Sequence, residues 1–311
     1  MEAPRVDAIA GSQHGLVSAA DAVAAGMTRS MIDWRRDSGR WRPLLAGTYL
    51  VGADGYPAEW AALDFGTRLA AARLAHGPDA VAVLTTAANI LDLPGRPRDD
   101  GVIHLRLPPG RERHQQPGVR VHTWKLREEE TTLADEIPVT TRLRTLADLA
   151  RTRTRFESVS ALDAALNSGL VLGPEMESIE FHLSGLRGAV AARRRVKECN
   201  GLAQSPLETR VRLIASDAGL APDHLQYPVC DRHGVLLGYG DMAWDRPGRR
   251  TLVAEADGAS IHDRPEALYR DRLRANDFVG TDEVDMVRFT WQDTVRPAYL
   301  VAVLRRNLRP R

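Results

Sequence analysis

Short amphipathic stretches alternate with capping residues and glycines along the first fifty residues of the chain. Ser18 and Thr28 are favoured helix N-caps, and Gly26 and Gly39 stand where the helices that follow them would end. One more helical stretch precedes Ser18, and two runs rich in strand formers come after Gly39. The pattern predicts a helix, a helix-turn-helix and a two-stranded wing within residues 1–55.

Arginine dominates the third predicted helix and the start of the wing. Between residues 28 and 42 the basic side chains outnumber Asp33 and Asp37; they are Arg29, Arg35, Arg36, Arg40 and Arg42. Positive side chains on a recognition helix contact DNA phosphates, and short polar side chains near its start reach base edges. We therefore predict DNA contacts from these arginines and from Thr28 and Ser30. The alternative is a small helical module that only packs on the rest of the chain.

Three short stretches surround the predicted helix-turn-helix: Gly15-Leu16-Val17-Ser18, Gly39-Arg40-Trp41-Arg42 and Gly47-Thr48-Tyr49. Together they resemble the amino-terminal winged helix of AbiEi-like antitoxins of type IV toxin–antitoxin systems. In that family the domain binds its own promoter and represses it. The resemblance implies DNA and a cognate toxin as partners, and transcriptional regulation as the function.

The middle of the chain, residues 56–200, has the pattern of a scaffold. It predicts an α+β segment followed by a helical linker, with helices over 57–76, from 85, and over 142–152, 157–167, 174–184 and 187–199, and strands over 102–107 and 118–124. The register of these helices places no catalytic residues together. We expect this segment to connect the two ends of the chain.

A hairpin carrying carboxylates is predicted in the last third of the chain. Two runs rich in strand formers flank residues 245–248, where Pro followed by Gly is typical of a tight turn. With a short loop there, Asp241 falls opposite residue 254 or 255, and alternation places Glu255 and Asp257 on one face. Three carboxylates that converge in this way would suit Mg²⁺ or Mn²⁺.

The order of elements around this hairpin adds to the pattern: a helix from Ser205-Pro206-Leu207-Glu208, strands at Gly240-Asp241 and Glu255-Ala256-Asp257-Gly258, then His262, a helix at residues 269–274 and a strand at 287–290. This order resembles the restriction-endonuclease-like superfamily, with its PD-(D/E)xK pattern, and more narrowly its very-short-patch-repair (Vsr-like) branch. The resemblance implies an α/β endonuclease-like domain over residues 201–311. Asp241 and Glu255 would hold the metal, Asp257 would assist them, and Glu208, His262 or Arg270 would support water or phosphate.

One position departs from the superfamily pattern. The place of the motif lysine is taken by Asp257, and the only lysines of the chain are Lys125 and Lys197. Hydrolysis therefore stays open, and the alternative is a fold that binds DNA or protein without cutting. Each candidate residue also has a possible structural role instead of a catalytic one. Glu208 would form a capping box with Ser205, Asp257 would lie in a turn and His262 in a loop.

The composition of the chain indicates where the protein is located more clearly than what it does. The net charge is only +1 and the pI about 7.9, so DNA affinity must come from local patches. Two cysteines in no paired motif predict neither a disulfide framework nor a zinc site, and no nucleotide-binding loop occurs. We expect a mixed α/β, multidomain cytoplasmic protein without a signal peptide or membrane segment. A homodimer is one open state, since winged helices often bind palindromes in pairs.

Three classes of function remain open from the sequence: a DNA endonuclease delivered by the winged helix, a catalytically inactive repressor of the antitoxin type, and an interaction scaffold. The carboxylate triplet favours the first class, whereas the absent lysine favours the second. DNA binding is common to both.

Overall fold

The computed structural model describes residues 3–52, 55–108, 110, 116–258 and 284–309. The chain forms two compact units, Met1–Asp148 and Leu149–Arg311. His262, Arg270 and the predicted helix at 269–274 lie outside the described residues. None of the described helices is both long and apolar enough to cross a bilayer.

The first unit begins with the predicted helices and wing. The elements are α1 (Ala3–Ser12), β1 (Leu16–Ser18), α2 (Ala19–Ala24), α3 (Arg29–Asp37), β2 (Trp41–Leu45) and β3 (Thr48–Val51). The strands form a sheet in the order β1-β3-β2, in which both pairings are antiparallel. The pattern missed β1, because three residues are too few to show an alternation.

Local capping fixes the ends of α2 and α3. The Ser18 hydroxyl accepts a hydrogen bond from the Asp21 amide at 3.0 Å, and the Asp21 carboxylate accepts one from the Ser18 amide at 3.1 Å. Thr28 Oγ1 accepts from the Met31 amide at 3.3 Å. Gly26 and Gly39 follow the two helices with φ of +101° and +75°, a backbone conformation that favours glycine.

The rest of the first unit is built around a five-stranded sheet of order β6-β5-β4-β8-β7. Its elements are α4 (Phe65–His76), β4 (Val81–Ala82), α5 (Leu84–Ile90), β5 (Ile103–Arg106), β6 (Val119–His122), β7 (Thr131–Ala134), β8 (Ile137–Thr140) and α6 (Arg142–Thr152), which continues into the second unit. The predicted helix 57–76 is too long: α4 begins only after Asp64, whose carboxylate accepts from the Thr67 amide at 2.9 Å.

The winged helix shares a hydrophobic core with this sheet. Leu16, Leu45 and Leu50 are buried in one cluster with Leu69 of α4 and Ile103 of β5. A second cluster, under α3, includes Val17, Ile32 and Trp41. The predicted domain 1–55 is therefore continuous in its packing with the residues that follow it.

The second unit joins the linker helices to the carboxyl-terminal sheet. Its elements are α7 (Arg155–Asn167), α8 (Gly173–His182), α9 (Ala189–Glu198), α10 (Pro206–Asp217), β9 (His224–Cys230), β10 (Leu236–Trp244), β11 (Thr251–Ala256), β12 (Val284–Phe289), α11 (Trp291–Thr294) and α12 (Pro297–Leu308). The predicted linker helices are present, but they belong to the same compact unit as residues 201–311. Among the contacts that join these elements, Arg212 of α10 donates to the buried Asp163 of α7 at 2.8 Å.

The carboxyl-terminal sheet has the order β12-β11-β10-β9. β9, β10 and β11 pair antiparallel, whereas β11 and β12 pair in parallel. Parallel neighbours require a crossover connection of about a dozen residues or more. Leu207 and Val211 of α10 and Leu300 of α12 pack together with Met242 and Leu252 of the sheet.

Candidate functional site

The outward face of α3 is the first candidate site. Arg29, Ser30, Asp33, Trp34 and Arg36 are exposed on this helix. Ile32 is buried beneath them, so the helix is fixed to the domain by its opposite side. Thr28 is exposed as well, but its hydroxyl accepts the capping bond from the Met31 amide.

The predicted DNA-binding arginines differ in their surroundings. Arg36 lies 2.8 Å from Asp33 and 2.9 Å from Asp37, and the hydrogen bond and charge of Asp37 raise the pKa of Arg36 above its ordinary value. Two carboxylates therefore offset its positive charge. Arg42 donates to the Pro57 carbonyl at 2.6 Å, which ties the wing to the chain beyond it.

Two more arginines lie over aromatic rings. The Arg35 guanidinium is 5.3 Å from the centre of the buried Trp41 ring, and that of Arg40 is 4.7 Å from the centre of the Trp34 ring. Arg29 and Arg40 are exposed, whereas Arg35 is half-buried. Arg29 and Arg40 therefore present their charge to solvent more fully than Arg35 does.

Trp34 is a surface feature that the sequence pattern did not reveal. Its side chain is 54% exposed. It lies beside a shallow depression that Ser30, Met31 and Arg35 also line. The available signal in the sequence was a tryptophan next to arginines and aspartates within a helix rich in charged residues.

The predicted carboxylates form the second candidate site. The register Met242↔Ala254 puts Asp241 across from Glu255 on the same face of the hairpin, as predicted. The Asp241 carboxylate accepts a hydrogen bond from the Ala256 amide at 2.7 Å. Glu255 is 8% exposed and follows the buried apolar residues Leu252, Val253 and Ala254 in its strand.

Arg288 connects the carboxylates and was not singled out from the sequence. It lies beside Glu255 in the parallel register of β12, with its Nη2 3.2 Å from Glu255 Oε2 and its Nη1 3.6 Å from Asp257 Oδ2. Only the strand pairing reveals this neighbour. In the part of the chain that the structure describes, no three His, Cys, Asp or Glu side chains are grouped so that they could hold a metal ion.

Glu208 has the contacts of a helix cap. The Ser205 hydroxyl accepts from its amide at 3.1 Å, while its carboxylate accepts from the Gln204 amide at 2.9 Å and from Gln226 Nε2 at 3.3 Å. Burial raises the pKa of this carboxyl above its ordinary value. Ser205 therefore caps this helix, but the Glu208 carboxylate bonds the amide of the residue before the cap, so the reciprocal half of the predicted capping box is replaced by a contact with Gln204.

Comparison with known proteins adds a family to this geometry. Residues 4–52 match the model of a family described as "Transcriptional regulator, AbiEi antitoxin". The curated relatives include the uncharacterized proteins MT2308 and Rv2248 from two strains of Mycobacterium tuberculosis. Each is 34% identical to this chain over 210 residues, which are 67% of this chain and 73% of the relative.

A solved structure, that of the RV2827C protein from Mycobacterium tuberculosis, is also similar. It has 18% sequence identity and a TM-score of 0.43, over 74% of this chain and 84% of that chain. The chain belongs to the family of the mycobacterial proteins MT2308 and Rv2248, and it begins with a transcriptional-regulator domain of the AbiEi antitoxin type.

Proposed function

We propose that this protein is a transcriptional regulator that binds duplex DNA through α3 and the wing. The observation that carries the proposal is the match of residues 4–52 to AbiEi-type regulators, together with the exposed basic face of α3 in the same residues. Arg29 at the start of α3 and Arg40 at the entry to the wing would contact phosphates, while Ser30 would reach base edges. A DNA partner agrees with the cytoplasmic setting expected from the sequence.

The arginines of this face differ in their contacts, so their replacement by alanine should have different effects on DNA binding. The full-length protein should bind a duplex containing the region upstream of its own gene, and Arg29→Ala and Arg40→Ala should each weaken binding several-fold. Arg36→Ala should weaken it less, because Asp33 and Asp37 already offset its charge. Arg232→Ala, on an exposed turn of the second unit, serves as the control. Equal effects of all four changes would contradict the assignment of α3.

A cognate toxin is the second partner in this proposal. AbiEi-type antitoxins belong to toxin–antitoxin pairs, so a neighbouring gene should encode a protein whose expression arrests growth. Co-expression of the present chain should relieve that arrest. Continued arrest at full expression of the chain would remove the antitoxin role and leave DNA binding untouched.

Metal-dependent DNA cleavage is a second candidate function. It is favoured by Asp241 and Glu255, which face each other across the hairpin, with Glu255 buried in its strand. The fit to a divalent ion is incomplete, however, because Arg288 contacts Glu255 and Asp257 and the Ala256 amide occupies one oxygen of Asp241. Arg288 and the Ala256 amide thus offset part of the negative charge that Mg²⁺ or Mn²⁺ would neutralise.

A single plasmid-nicking assay distinguishes DNA cleavage from regulation without cleavage. Plasmid DNA is incubated with Mg²⁺ or Mn²⁺ and the wild type, Asp241→Asn or Glu255→Gln. Nicking by the wild type that both variants lose would establish the endonuclease. Equal nicking by all three would indicate a contaminant, and no nicking would contradict cleavage and leave the regulator.

A further inference from the structure

The exposed Trp34 on α3 is the feature that the proposed function has not used. A tryptophan that is 54% exposed leaves a large apolar surface in water, and the burial of such surface on binding is favourable by about 25 cal/mol per Å². Ile32 of the same helix is buried in the domain core, whereas Trp34 lies on the exposed side of the helix. Its position beside Ser30 places it on the face proposed to meet DNA.

Arg40 holds one side of the Trp34 ring. The guanidinium lies 4.7 Å from the ring centre, within the range of a cation–π contact. Arg40 belongs to the short connection between α3 and β2, so the contact joins the recognition helix to the entry of the wing. The indole is thereby oriented before any ligand binds, and ordering it on binding costs less entropy.

We propose that Trp34 recognises the C5-methyl group of a thymine in the major groove of the DNA target. This inference rests on the proposed function. The major groove admits an α-helix, and thymine alone presents an apolar group there. An indole has a single N–H donor and cannot form the paired hydrogen bonds that distinguish guanine or adenine, so its apolar ring is matched to the methyl group.

A double-mutant cycle between protein and DNA tests the proposal. Duplexes are first selected from a random library by the full-length wild type. Each thymine of the selected site is then replaced by deoxyuridine, which removes only the methyl group, and affinities are measured for the wild type and Trp34→Ala. For each α3 helix bound to the duplex, we expect one thymine whose replacement by deoxyuridine weakens the binding of the wild type about ten-fold. The same replacement should leave the affinity of Trp34→Ala unchanged.

Two further variants identify the source of any effect. Trp34→Phe keeps an apolar ring and should retain most of the methyl preference. Phe181→Ala removes an aromatic side chain of similar exposure from α8 and should retain all of it. If methyl removal affects the wild type and Trp34→Ala equally, or affects neither, Trp34 does not recognise thymine. If the wild type selects no duplex at all, the proposed function fails and this inference fails with it.

Discussion

At the scale of single residues, polar side chains cap the helices of this protein and connect its neighbouring strands. Ser18, Thr28 and Ser205 could be recognised as capping residues from the sequence, because each caps an amide three positions along the chain. Arg288 could not, because its partner Glu255 is set by a parallel strand pairing. Trp34 differs from both, because the sequence shows the residue but does not show that its side chain is exposed.

Glu208 supplies a prediction for pH dependence. Burial raises its pKa above the ordinary 4.5, so the folded state binds its proton more readily than the unfolded state does. Its contribution to stability is therefore fully present below pH 4.5 and is lost as the pH rises through the folded-state pKa. Glu208→Gln stays neutral, so wild type should lose stability relative to this variant as the pH rises from 4.5 through the folded-state pKa, by about 1.4 kcal/mol for each pH unit by which the pKa is raised.

Thermal unfolding of both proteins across that pH range measures the difference. Glu175→Gln is the control, because Glu175 caps α8 through the Leu172 amide from an exposed position. A wild type that gains stability over Glu208→Gln as the pH rises would contradict the raised pKa.

Gly118 is a glycine that its surroundings require. Its φ is +77°, and a Cβ there would overlap Nε1 of Trp60, which donates to the Gly101 carbonyl at 2.8 Å. Gly118→Ala should therefore destabilise the first unit by about 1–3 kcal/mol beyond the cost of backbone strain. Gly39→Ala, at φ of +75° with open space around it, measures the strain alone. Equal loss of stability in urea unfolding would contradict the steric account.

At the scale of elements, the helices could be predicted from local sequence signals, whereas the pairing of the strands depends on contacts between residues that are distant in sequence. The pattern located α2, α3, the linker helices and the carboxyl-terminal hairpin, because capping residues and alternation act within a few positions. It could not show β1 pairing with β3, or β11 with β12, since those partners are far apart in sequence. It also extended α4 too far, because an alanine-rich run hides the cap at Asp64.

The contact between α7 and α10 is an element-scale prediction. Asp163 is 1% exposed, and it accepts bonds from Arg212 at 2.8 Å and from the Thr209 hydroxyl at 2.6 Å. Arg212→Ala leaves this carboxylate buried without its positive partner, and should lower the free energy of unfolding by about 3–5 kcal/mol. Adding Asp163→Asn should recover part of that loss.

Denaturant unfolding of the single and double variants tests this coupling. Arg36→Ala, which removes an exposed ion pair on α3, should leave the free energy of unfolding nearly unchanged, because water screens the pair. An Arg212→Ala protein as stable as Arg36→Ala would show that α7 and α10 do not depend on the buried pair.

At the scale of the whole molecule, the winged helix is part of a larger packed unit. Leu16, Leu45 and Leu50 share a core with Leu69 and Ile103, so a fragment that ends at residue 55 exposes them. Residues 1–148 should unfold cooperatively, whereas residues 1–55 should not. Circular dichroism during heating distinguishes the two fragments, and a cooperative transition in 1–55 would contradict this packing.

The proposed role of the whole molecule depends on DNA binding by the face of α3. The most direct measurement is the salt dependence of affinity for the selected duplex, with full-length wild type and the Arg29→Ala, Arg40→Ala double variant. Each lost phosphate contact should reduce the slope of log affinity against log salt by about 0.9, so the double variant should lose about two. An unchanged slope in the double variant would contradict the assignment of this face as the DNA-binding surface.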